Sequence, residues 1–127
     1  MKTMTIAVAA TAILLSAFAS GEALAASPES RCKACHTFDK GGKAKVGPNL
    51  FGVVGRKAGS TDFEKYSASL KGGNWVWSKE NLKAWVCDSK EAIKKLSGDD
   101  AARTKMPKQG QCGDKADEVV AFLATLK

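Results

Sequence analysis

Residues 32–36 read Cys32-Lys33-Ala34-Cys35-His36, and this stretch decides the fold. Cys-x-x-Cys-His is the attachment pattern for a c-type haem. At that spacing the thiols reach the vinyl groups on one edge of a porphyrin and form thioethers, while the adjacent imidazole is delivered to the iron. Cys-x-x-Cys alone also serves thioredoxin-like redox sites and half of many zinc sites. The thioredoxin arrangement wants a strand just before the motif, where this chain has the short polar segment Ser27 to Arg31. A zinc site needs further ligands, and the other cysteines, Cys87 and Cys112, lie far apart without a second Cys-x-x-Cys. The motif therefore predicts one haem c, covalent through Cys32 and Cys35, with His36 on the iron.

Before the motif, Lys2, the apolar run Ile6 to Phe18 and the small residues after it read as a secretory signal peptide. The run is too short to span a membrane comfortably, so no stable membrane insertion is expected. Ala-x-Ala cleavage sites end at Ala19 and at Ala25; the second is preferred because Gly21 breaks the apolar helix a few residues before it. An uncleaved N-terminal anchor is the alternative. Residues 1–25 are thus expected to be a leader and 26–127 a single periplasmic domain of about 100 residues, a size at which a core is marginal. A covalently held porphyrin would add apolar area. Export also permits a disulfide between the two leftover cysteines.

The formal net charge is +7. Between Ser27 and Ser60 five Lys and two Arg face only Glu29 and Asp39, a net +5 close to the motif, and Lys105 and Lys108 add to it further on. Most charge runs are solvated surface. Nucleic acid is not indicated, since there is no Lys/Arg-rich recognition helix or interleaved aromatic platform.

Ser27-Pro28 predicts a helix start, with a hydroxyl cap and a proline at the first helical position, and the helix is expected to run through His36. Gly41-Gly42, Gly47-Pro48-Asn49, Gly52, Gly55 and Gly59 mark an irregular stretch suited to wrapping something. Asp62 to Lys71 reads as a short helix ended by Gly72-Gly73. Ser78 caps another, with Leu82, Trp85 and Val86 on one face, and Glu91 to Leu96 continues helically until Gly98. From Asp114 to Leu126, Ala116, Val119, Val120, Leu123 and Leu126 follow helical spacing. Strands are scarce, so the expected class is all-α.

Subtraction points to the second axial ligand. His36 is the one histidine, which excludes a bis-histidine haem within one chain, and Met1 and Met4 belong to the leader. Met106 remains, in the non-helical loop Thr104-Lys105-Met106-Pro107-Lys108. A lone Met is usually core filler, but one between lysines and before a proline is poorly placed for that. Soft sulfur raises the potential of a Met/His haem. An iron closed on both faces would exchange electrons rather than bind oxygen or peroxide.

The motif, together with Lys45-Val46-Gly47-Pro48-Asn49-Leu50, Gly55-Arg56-Lys57-Ala58-Gly59, Tyr66-Ser67, Trp77 and Lys105-Met106-Pro107, resembles the class I c-type cytochromes. The nearest kind is the small one of mitochondria and alphaproteobacteria. That resemblance implies short helices and Gly/Pro-rich loops wrapped around one haem. It implies that the carbonyl of Pro48 takes the N–H of His36, and that Arg56, Tyr66 and Trp77 hydrogen-bond or neutralise the haem propionates. It places Trp85 against the haem near the methionine; ordinary core packing is the alternative for each aromatic and the preferred reading of Trp75.

Two departures stand out. The family's longer first helix, which crosses the last, is replaced by a short lead-in, so a shortened N-terminal helix and a partly uncovered face at Val119 to Leu123 are expected. Family folds also pack the regions of Cys87 and Cys112 together, which implies a disulfide enclosing the methionine loop, against two free thiols as the alternative. The function implied is a monomeric electron carrier. Its partners would be acidic docking surfaces on a quinol-oxidising cytochrome bc complex, a terminal oxidase, a photosynthetic reaction centre or a dehydrogenase. The competing reading is a haem peroxidase or gas-binding cytochrome from which Met106 dissociates.

Overall fold

The computed structural model describes residues 26–127, so the expected leader over residues 1–25 lies outside the described residues. Among the described residues the regular elements are helices α1 (Ala68–Lys71), α2 (Lys79–Cys87), α3 (Ser89–Ser97) and α4 (Asp114–Leu123). One isolated bridge pairs Lys57 with Val76. Among the described residues no helix is long and apolar enough to cross a membrane.

Local chemistry sets the helix ends. Ser78 sits in extended backbone and its hydroxyl accepts from the N–H of Asn81 at 3.1 Å, which starts α2. Leu82, Trp85 and Val86 then fall on one buried stripe. Asp88 leaves the helical region with φ −147°, closing α2, and its carboxylate accepts from the N–H groups of Lys90 and Glu91, opening α3. The expected single run into Gly98 is therefore two helices with a corner between them. Gly98 ends α3 in the left-handed region at φ 70°, where a side chain is disfavoured. Helices α3 and α4 both pack on α2, and Ile93, Val119 and Val120 are the most deeply buried apolar side chains.

Three expectations are corrected. Residues 28–35 form successive turns rather than a helix through His36, with i→i+3 bonds from Ser30 to Ser27, Cys32 to Glu29 and Cys35 to Cys32. A segment this short is marginal as a helix without an apolar stripe to pack. The helix expected from Asp62 begins only at Ala68, because Phe63 and Tyr66 stack edge to face at 5.0 Å and Tyr66 bonds Thr61, which holds residues 61–66 in bends. Lastly, Val119, Val120 and Leu123 are at most 3% exposed, so that face of α4 is covered. They turn toward α2 and the core, Asp117 and Glu118 face solvent, and Phe38 meets Phe122 edge-on at 5.3 Å. The final helix also stops at Leu123 and closes in a turn.

Candidate functional site

The turns at 28–35 bring the motif to one wall of a cavity of about 340 Å³. Cys35 and His36 both donate their backbone N–H to the carbonyl of Cys32, at 3.1 and 2.9 Å, so the two sulfurs and the imidazole share that wall. Both thiols are free and half-buried. Burial pushes the Cys32 thiol up from its ordinary value, with the charges of Glu29 and Cys35 adding to it.

His36 is 9% exposed and its Nδ1 lies 2.7 Å from the carbonyl oxygen of Pro48. A carbonyl only accepts, so Nδ1 carries the proton and Nε2 keeps its lone pair. Burial holds the imidazole below its ordinary pKa, against the Pro48 bond, which acts upward. Gly47 makes this approach possible. A Cβ there would collide with Cε1 of His36 and lie 2.8 Å from Nδ1.

Met106 lines the same cavity. Its Sδ accepts from the indole Nε1 of Trp85 at 3.1 Å, and its carbonyl accepts from Oγ of Ser89 at 2.8 Å. Cys87 and Cys112 form a disulfide with Cα atoms 4.5 Å apart. The N–H groups of Gly110 and Gln111 bond the carbonyls of Cys87 and Val86, each at 3.0 Å.

Arg56, Tyr66, Trp77 and Trp85 complete the wall with Pro48, so all nine residues singled out in the sequence border one cavity. Arg56 donates to the carbonyls of Phe51 at 3.3 Å and Asn49 at 3.2 Å, and burial lowers its pKa. Tyr66 shares a 2.6 Å bond with Oγ1 of Thr61. Trp77 stacks edge-on between Trp75 and Trp85, with centroids at 5.8 and 4.9 Å. Trp75 does not border the cavity, in keeping with core packing, and its buried Nε1 has no partner among the described residues. Arg31, Lys65 and Lys105 are exposed members of the cavity lining, as is Val46 at 72%, and among the described residues no carboxylate borders the cavity. Sequence reasoning missed Ser89, Val53 and Leu70, and quoted Gly47 in the motif beside Pro48 without giving it a role of its own.

The donor set fits haem c. One wall offers two free thiols and an imidazole with its Nε2 lone pair, the same cavity holds a thioether, and Val53, Leu70, Leu82, Trp77 and Trp85 supply apolar contact. The volume is within the usual range of about 300–1,000 Å³ for cofactor sites. No family model matches the chain. Curated relatives do: cytochrome c2 of Rhodospirillum rubrum is 43% identical over 121 residues, covering 87% of this chain and 90% of the relative. Cytochrome c-550 of Novispirillum itersonii is 37% identical, covering 76% and 89%. Among solved structures, ferricytochrome c2 from Rhodopseudomonas palustris superposes with a TM-score of 0.69 at 34% identity, covering 79% of this chain and 93% of that one. The chain therefore belongs to the class I c-type cytochromes, with the cytochrome c2 and c-550 electron carriers, and carries a covalently bound haem c.

Proposed function

We propose that the chain is a periplasmic monohaem electron carrier whose iron is ligated by His36 and Met106. The reading rests on one observation. His36, with Nδ1 committed to Pro48, and Met106, with Sδ held by Trp85, border the same cavity as the free thiols of Cys32 and Cys35. Haem c bound there supplies one-electron exchange between its ferric and ferrous states. Cys32 and Cys35 hold it covalently, and Pro48 fixes the imidazole tautomer and raises its basicity. Arg56, Tyr66 and Trp77 serve the propionates, while Trp85 orients the sulfur. With His36 and Met106 both committed to the iron, no position would remain open for a peroxide or a gas, so the protein would carry electrons rather than catalyse a reaction. Residues 1–25 direct export and are removed, leaving 26–127 as a monomer.

Single electrons would pass between a quinol-oxidising cytochrome bc complex or a dehydrogenase and a terminal oxidase or photosynthetic reaction centre. The exposed cations Arg31, Lys65 and Lys105 in the cavity lining, with no carboxylate among the described cavity residues, favour acidic docking faces on those partners. A visible and near-infrared spectrum of the oxidised protein tests the ligation. A sulfur-to-iron charge-transfer band is expected and should vanish in Met106→Ala; its survival refutes the assignment. Exchange with an acidic redox partner should slow as salt rises, and rates independent of ionic strength refute the docking surface.

A further inference from the structure

The loop that carries Met106 is fastened at one place. Among the described residues, every hydrogen bond, ion pair and covalent link from residues 104–112 to another element ends on residues 85–89, the corner between α2 and α3. The ion pair from Lys108 to Asp88, at 3.1 Å, has side chains 60% and 26% exposed and is weakened by screening. The backbone bonds from Gly110 and Gln111 lie on the two residues just before Cys112, so they share its fate. Ser89 is fully buried and reaches the carbonyl of Met106 itself. The disulfide is the covalent link, and Cys112 is exposed.

We propose that the Cys87–Cys112 bridge and Ser89 are positioning residues for Met106. They seat its loop on the α2–α3 corner, and opening the bridge with a dithiol unseats the sulfur while the rest of the fold stays in place. This rests on the reading of Met106 as an iron ligand. Thiolate attack falls on the sulfur of Cys112, the more exposed of the two residues, and the bond to the Cys87 sulfur breaks. The reagent's second thiol then displaces Cys112. The reagent ends as a cyclic disulfide, Cys87 and Cys112 end as thiols, and two electrons and two protons have moved from reagent to bridge. With the covalent link gone, a larger fraction of molecules has Met106 off its seat, and a small ligand can enter on that side.

The experiment uses the haem-loaded protein and carbon monoxide as the probe. Ferrous protein is prepared with a reductant that leaves disulfides intact, and compared with protein opened by a dithiol and with Cys87→Ser/Cys112→Ser. Opening should speed carbon monoxide binding about tenfold or more, in proportion to the unseated fraction. The oxidised double variant should show a weaker sulfur-to-iron band. Ser89→Ala should shift both readouts in the same direction by less. Val119→Ala truncates a buried α4 side chain that takes part in none of these links, so it should lower global stability and leave carbon monoxide binding unchanged. If the dithiol-opened protein, with two thiols confirmed by titration, binds carbon monoxide at the rate of the bridged form, the proposal is overturned. Failure of the ligand reading shows separately, as a band that survives Met106→Ala with the bridge intact.

Discussion

Trp85 donates its indole N–H to the Sδ of Met106 across 3.1 Å, and an indole has no acceptor to offer in return. The bond has one polarity: it draws electron density from the sulfur. Under His36/Met106 ligation that weakens the sulfur as a donor to ferric iron and raises the reduction potential. Trp85→Phe keeps most of the ring and loses the N–H. The potential is expected to fall by on the order of 40 mV, the one-electron equivalent of about 1 kcal/mol for one hydrogen bond. Potentiometric titration reads it, and an unchanged or higher potential would show that the bond does not bias the iron.

The approach of Gly47 to His36 leaves no room for a methyl group. A Cβ would meet Cε1 and lie 2.8 and 2.9 Å from the two ring nitrogens. Gly47→Ala must move the ring or the Pro48 segment, stretching the 2.7 Å bond between them. Overpacking of this kind costs about 1–3 kcal/mol. The variant should unfold at lower urea concentration than the parent and yield less haem-loaded protein. An unshifted midpoint would mean that the loop yields freely there.

The sequence made the site more legible than the elements that carry it. Cys32, Cys35 and His36 are reached through covalent spacing and Met106 by counting the thioethers available, steps that do not depend on knowing the backbone, and all four line one cavity. The helices expected over Ser27–His36 and Asp62–Lys71 rested on caps and short runs, and there tertiary contacts decide. Phe63 and Tyr66 stack on each other instead of joining α1, and residues 28–35 close in i→i+3 turns. Ser89 left no trace, because a serine at the first position of a helix is ordinary, and only the packed corner shows that its hydroxyl meets the carbonyl of Met106. The cover on α4 was likewise hidden, since Phe38 and Phe122 are far apart in the chain.

Asp88 couples the α2–α3 corner to acid. Its carboxylate accepts from the backbone N–H of Glu91 and bonds Lys108, and these hold its pKa below the ordinary 3.8. Because the folded value is the lower one, the unfolded chain binds more protons between the two values, and stability rises with pH across that window. The contribution is complete above about 3.8 and is lost as pH falls through the folded value. Asp88→Asn retains a capping oxygen but does not titrate. Its urea midpoint, followed in steps from pH 5 down to pH 2, should fall less steeply than that of the parent; parallel acid limbs would place the titrating group elsewhere.

Phe38 follows the haem motif closely and rests edge-on against Phe122 of α4, with centroids 5.3 Å apart. The contact ties the segment after His36 to the last helix. Both rings are half-buried, so truncation should cost less than a core aromatic: about 1–3 kcal/mol for Phe38→Ala, combining lost apolar area with the edge-to-face contact. The loss should be local as well as global. Amides of residues 122–126, including Leu126, whose carbonyl accepts from Gly52 at 2.7 Å, should exchange with deuterium faster than those of α2. Phe38→Leu, which keeps apolar area without the ring, should recover part of the stability. If Phe38→Ala exchanges like the parent at the end of α4, the helix is held by Val119, Val120 and Leu123 alone.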